Sequence, residues 1–320
     1  MRHLLTALGV LFACLMIAGA APAATTFATP STAVAVMKAA RCDDDVLFTG
    51  VFPALRLSGV KPACAVRLDL SRATFTGLAY WTDIANLTAT GGTWAQLRLD
   101  KAVNVSLGGA AFTGQASANQ VAFNVNVGTN VSITGSTFDG YSKGVTLARV
   151  AGFTIAGNSF TQMESDGINC SASQRGRITG NRVSNFRKVP GGAHPDAAQC
   201  WSVAGYPTTA DIEISFNIID APPAQGIFLG NIPGAPGFDR VWIHHNAIIA
   251  GQVNGLALAP SARDSAVNDN ILSTAPGSPW QSTIQSGGAR RCGNTVAAYR
   301  QPDGQLKPGV VDAPCPSVAP

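Results

Sequence analysis

Two short segments carry the same polar pattern. Asp166-Gly-Ile-Asn169-Cys170 and Asp196-Ala-Ala-Gln199-Cys200 both read acid, two spacers, amide, cysteine. If each begins a strand of a coiling sheet, rung spacing puts Asp166 and Asp196 roughly 4.8 Å apart, with Asn169 stacked on Gln199. Lys143 opens the equivalent segment one coil earlier, and Glu164 and His194 flank the acids. Two like charges so close need a cation, a shared proton or a base. Three chemistries follow. In the first, a base (His194, Lys143 or Lys188) removes the proton α to a uronate carboxylate. Asn169, Gln199 or a basic side chain neutralises that carboxylate, and Asp166, Asp196 and Glu164 are candidate Ca²⁺ ligands, because hard oxygen donors suit that ion. The outcome is β-elimination, or epimerisation if the proton returns on the other face. In the second, Asp166 and Asp196 are the acid and nucleophile of a glycoside hydrolase, at a spacing nearer the retaining geometry. In the third, the acids only cap turns, a common use of Asp before Gly. Lys188, Arg187 and Trp201 complete the candidate substrate-binding set.

A repeated phrase supplies the elements that would hold these residues. Φ-x-x-Asn-x-Φ, with Φ apolar, recurs with Asn at 158, 181, 217, 246, 270 and 294, although Arg291 replaces the apolar lead in the last copy. The Asn-to-Asn steps are 23, 36, 29, 24 and 24. A period in the twenties with β-branched residues and Gly predicts a solenoid of strands. One Asn per coil predicts a ladder of stacked amides that satisfies backbone groups at a bend. In the second strand of each coil, alternation turns Val145/Leu147, Ile168/Cys170, Ala198/Cys200, Ile227/Leu229 and Leu256/Leu258 inward, and Thr146, Asn169, Gln199 and Phe228 outward. The long step from Asn181 to Asn217 contains an insert ending at His194-Pro195-Asp196. Inserted loops on one coil often wall a binding groove.

The rest of the chain frames this coil. Residues 1–23 read as a secretory signal peptide: a basic start, an apolar run from Leu4 to Ala18, then small residues. Residues 24–60 are expected to cap the open end with a short helix within 31–41, because the first rung would otherwise be a bare edge. Residues 61–296 form the coil and 297–320 a Pro- and Gly-rich C-terminal flap. An exported chain with an even set of mature cysteines predicts disulfides. Cys42–Cys64 and Cys292–Cys315 are expected bonds, whereas Cys170 and Cys200 are expected only in close approach. With a net charge of +4 and 12% charged residues, the chain permits an acidic partner without calling for one. Its basic residues are scattered, so nucleic acid is not an expected partner. His244 and His245 fall on another face of the coil in a structural role. Trp201, Tyr206 and Trp242 are candidates for stacking on sugars, and Arg175, Arg177 and Arg187 for pairing with polymer carboxylates.

The Ile-x-Gly-Asn-x-Phe phrase resembles the ladder of the right-handed parallel β-helix, or pectate-lyase-like, superfamily, across about residues 30–296. The resemblance implies a single-domain, all-β solenoid and a polysaccharide partner. Members are lyases, hydrolases or epimerases of acidic polysaccharides, and some are non-catalytic. The successive Asp motifs of polygalacturonases and the Asp-Pro-His-Asp string of epimerases are absent. The expectation is therefore an exported, periplasmic or secreted protein acting on a uronate polymer by elimination or epimerisation. Glycoside hydrolysis or non-catalytic carbohydrate binding are the alternatives.

Overall fold

The computed structural model describes residues 23–114, 120–187 and 195–316. Strands follow one another around a coil and pair in parallel with the coil before and after. The predicted solenoid is thus the observed architecture. Among the described residues antiparallel pairing occurs only at the C-terminal end, Thr295–Val296 with Val310–Val311 and Tyr299–Arg300 with Leu306–Lys307.

Each coil presents three faces. Lys143, Asp166–Ser171, Asp196–Ser202 and Gln225–Asn231 begin or form rungs of the first face. Gln174–Thr179, Thr209–Ser215, Phe238–His244, Ala266–Asn268 and Arg290–Cys292 form the second. Ser159–Thr161, Arg182–Ser184, Ile218–Ala221, Ala247–Ala250 and Ile271–Thr274 form the third. In the N-terminal half the first two faces belong to single long strands, such as Lys143–Ala156. These strands turn their corner through left-handed residues, Asp83, Lys101, Val127 and Arg149.

The core is narrow and stacked. Phe112, Phe138, Phe160, Val183, Ile219, Ile248, Leu272 and Val296 lie in one register column. Ring centroids are 4.8 Å apart for Phe112 and Phe138 and 4.6 Å for Phe138 and Phe160. Burial of each such side chain contributes roughly 1.5–3 kcal/mol. The inward residues expected on the first face are all buried.

The ladder turns the corner between the second and third faces. Asn158 donates from both its backbone N and Nδ2 to Oδ1 of Asn181, each at 3.0 Å, and its Nδ2 also reaches the Ile133 carbonyl. The pattern repeats through Asn181, Asn217, Asn246, Asn270 and Asn294. The residue before each Asn is left-handed, so Gly stands at 157, 180 and 293. Phe216, His245 and Asp269 hold the same conformation with side chains.

Both ends are closed. The helix α1, Ala33–Ala39, is shorter than the 31–41 segment expected; it buries Ala33 and Met37 against the first strands. Segment 24–60 also supplies strands: Thr25–Ala28 and Asp45–Phe52 already pair in parallel with the coil. Cys42–Cys64 and Cys292–Cys315 are bonded as expected. Cys170–Cys200 is bonded as well, which corrects the expectation of close approach alone. Their Cα atoms, on adjacent rungs in the core, are 4.5 Å apart, within disulfide reach. Three disulfides fit a protein that matures in an oxidising compartment. Among the described residues no helix is long and apolar enough to cross a membrane.

Candidate functional site

The predicted register holds. Lys143, Asp166, Asp196 and Gln225 occupy one column of the first face, and Thr146, Asn169, Gln199 and Phe228 the next outward one. The register of the two acids holds although 30 residues separate them, against 23 between Lys143 and Asp166. Backbone bonds set each entry to the strand: Asp166 N donates to Ser142 O at 3.1 Å and Asp196 N to Ser165 O at 2.9 Å.

The side chains form a continuous network. Lys143 Nζ lies 3.0 Å from Asp166 Oδ2. Asn169 Nδ2 donates to Asp166 Oδ2 at 3.0 Å and to Gln199 Oε1 at 2.8 Å. Gln199 Nε2 donates in turn to Asp196 Oδ2 at 2.6 Å. Farther along, Asn254 donates to Gln225 and Gln285 to Asn254. Asp196 Oδ1 is buried and has no hydrogen-bond partner among the described residues. Burial, and then the neighbouring Asp166 charge, push the Asp196 carboxyl up to about 8, against a smaller opposing pull from Lys143. The column therefore combines an ammonium–carboxylate pair with a carboxyl group that stays protonated at neutral pH.

Exposure changes what this network can do. Asp166 and Asp196 are each only 2% exposed, so they do not line an open groove as the hydrolase reading requires. Each folds back onto the amide three residues along its own strand, and that amide lies over it. Lys143, with 35% of its side chain exposed, is the charged group of the network that faces solvent. Gln199, Trp201 and Phe228 are half-buried on the outer surface. Trp201 meets Phe228 edge-on at 5.6 Å and lies over Gly230, where a Cβ would come within 2.8 Å of the indole. That surface can support a sugar ring.

Other expected members are placed elsewhere. Glu164 is not beside the aspartates: its carboxylate pairs with Arg187 at 3.1 Å, and Arg187 Nε also donates to the Gln162 carbonyl. Arg187 is thus engaged within its own loop. His194 and Lys188 lie outside the described residues. The Ca²⁺ expectation does not fit this donor set. Lys143 already pairs with Asp166, Glu164 is elsewhere, and no three metal-ligating side chains converge among the described residues.

Sequence reasoning underweighted a column on the second face. The residue four before each ladder Asn falls there in register: Thr154, Arg177, Glu213, Trp242, Ala266 and Arg290. His244 is buried beside it, with Nε2 3.4 Å from Glu213 Oε1, and Trp242 stacks on His244 at 3.9 Å. Burial holds the His244 imidazole below its ordinary value, with Glu213 opposing. Reading down that one position of the phrase would have found this face.

A family model described as a right handed beta helix region matches residues 116–288. The Dettilon tailspike protein (gp208) superposes with a TM-score of 0.53 at 13% identity, over 86% of this chain and 62% of that one. PfbA, a surface adhesin of Streptococcus pneumoniae, superposes with a TM-score of 0.54 at 11% identity, over 80% of this chain and 77% of that one. An alginate lyase from Paenibacillus sp. gives a TM-score of 0.43 at 18% identity, over 85% of this chain and 87% of that one. The chain spans less than two thirds of the tailspike's length, and at these identities the likenesses to the tailspike and the adhesin speak to fold alone. No curated protein matches the chain.

Proposed function

The chain belongs to the right-handed β-helix family, and on that premise we propose that it is an exported protein that binds uronate-containing polysaccharide on its first face and cleaves it by β-elimination. The carrying observation is the solvent-facing Lys143 ammonium, fixed 3.0 Å from Asp166, with the buried Asp196 carboxyl one rung on. Lys143 pairs with the uronate carboxylate and makes the α proton more acidic. Gln199, Trp201 and Phe228 offer the adjoining hydrogen bonds and stacking surface. His194, two residues before Asp196, is assigned as the base. It takes the α proton, whose electron pair becomes the new double bond. The bond to the leaving oxygen breaks, and that oxygen takes a proton from water. With Asp196 protonated, Lys143 and Asp166 balance, so the column does not repel a polyanion.

The variants His194→Ala and Lys143→Gln test this assignment on polygalacturonate, polymannuronate and polyguluronate. Each should lower the rate of unsaturated-product formation at least ~10-fold. Melting curves separate this from unfolding, since Lys143→Gln leaves a buried carboxylate without its counter-ion. Full rates in both variants would sink the reading.

A further inference from the structure

On the second face, Trp242, Ala266 and Arg290 occupy three successive rungs of one outward column. The small Ala266 leaves a depression between a large indole and a guanidinium, roughly 10 Å apart across two rungs. A cavity of 810 Å³ opens at this place, lined also by Arg240, Asp264 and Asn268. The disulfide-tied segment at Cys315 and Pro316 walls one side of it.

The indole is both available and fixed. Trp242 is 48% exposed, yet it stacks on His244, which the Phe216 and His245 rings flank in turn. Such a pre-positioned aromatic surface loses little entropy when it accepts a ring.

The charges are unequal in availability. Arg240 is held by Asp211 and Asp239, and Arg291 by Asp312. Arg290 is exposed and makes no ion pair or side-chain hydrogen bond among the described residues. One uncommitted guanidinium beside an exposed Trp selects a ring that carries an anion. Asp264 and Asn268 add an acceptor and a neutral donor–acceptor suited to hydroxyl groups.

We propose that this slot is a second carbohydrate-binding site, for one anionic pyranose residue, a uronate or a sulfated sugar. The sugar ring lies on Trp242 over Ala266 and its anion pairs with Arg290. The site stands on a different face from Lys143 and does not depend on the elimination reading. It would hold a polymer chain without acting on it.

Isothermal titration decides the matter. It is run in a His194→Ala background, so that no oligosaccharide is consumed, with hexamers of galacturonate and mannuronate, a chondroitin sulfate hexasaccharide and neutral cellohexaose. At least one acidic hexamer should bind, and cellohexaose should bind at least roughly 10-fold more weakly. The acidic arms tell a carboxylate from a sulfate ligand. Trp242→Ala and Arg290→Ala should each weaken acidic binding by roughly 10-fold or more, with melting curves to separate this from any loosening where Trp242 leaves His244. With Lys143→Gln added to silence the first face, the Trp242- and Arg290-dependent binding should be the part that remains, even if no elimination activity exists. The proposal is overturned if both variants bind like the parent, if cellohexaose binds equally well, or if no acidic hexamer binds.

Discussion

Asp196 opens its strand with a carboxyl pushed up to about 8 by burial and the nearby Asp166 charge, from an ordinary 3.8. The folded state therefore holds a proton that the unfolded chain gives up at much lower pH. The sign follows from linkage: this contribution to stability is full below pH 3.8 and is lost as pH rises through about 8. Asp196→Asn, a neutral isostere of the protonated acid, should flatten that dependence. Melting temperatures measured between pH 5 and pH 8 should fall more steeply in the parent, and equal slopes would contradict the burial argument. The same proton has a kinetic consequence under the elimination reading. As Asp196 ionises, the column gains a negative charge, so KM for a polyuronate should rise above about pH 8 in the parent but not in Asp196→Asn. Ladder amides make a separate case. Asn217 accepts from the backbone N and Nδ2 of Asn181 and donates to Asn246. Asn217→Ala takes the acceptor from the buried Asn181 donors and one donor from the Ile178 carbonyl and Asn246 Oδ1, and should cost about 1–3 kcal/mol in denaturant unfolding.

The C-terminal cap joins several interactions in one small element. Asp312 accepts from Asn294 Nδ2 at 2.8 Å and from Arg291 Nε at 2.7 Å, which ends the Asn ladder on a carboxylate. Val310–Val311 covers the last third-face strand in antiparallel register, and Cys292–Cys315 ties the segment down. Cys315→Ser should lower unfolding stability by about 2–4 kcal/mol. Protease cleavage after position 296 should then appear earlier than in the parent, and unchanged stability together with unchanged cleavage would contradict this role. Much of this element order was legible in sequence, because a strand's period of two and the Asn corner fix phase independently of loop length. Asp166 against Asp196 and Asn169 against Gln199 followed from that phase alone. Depth did not follow. Nothing in Asp-x-x-Asn says that the amide folds over the acid and leaves it 2% exposed. The Cys170–Cys200 bond also escaped, since spacing gives adjacency but not the orientation of the two thiol-bearing side chains. The Trp242 slot was missed for a third reason: it depends on the contrast in side-chain size along a column, which pairwise motif matching does not weigh.

At the scale of the whole molecule, the coil gives two outward faces that differ in chemistry. The first holds an ammonium–carboxylate pair, a protonated acid and stacked amides; the second holds an aromatic slot with one uncommitted guanidinium. A rigid stack with closed ends suits a long polymer, because successive rungs repeat at roughly 4.8 Å and a chain laid across them meets several at once. The likeness to solved β-helices supports this frame and leaves the chemistry to the side chains. The central claim is elimination from a uronate polymer, and the product of the reaction tests it most directly. Purified protein should be incubated with polygalacturonate, polymannuronate, polyguluronate and a neutral glucan while ultraviolet absorbance and reducing ends are both followed. The account predicts absorbance from an unsaturated uronate rising in step with new reducing ends on at least one polyuronate and on no neutral glucan. New reducing ends without that absorbance, or no change on any polyuronate, would contradict it.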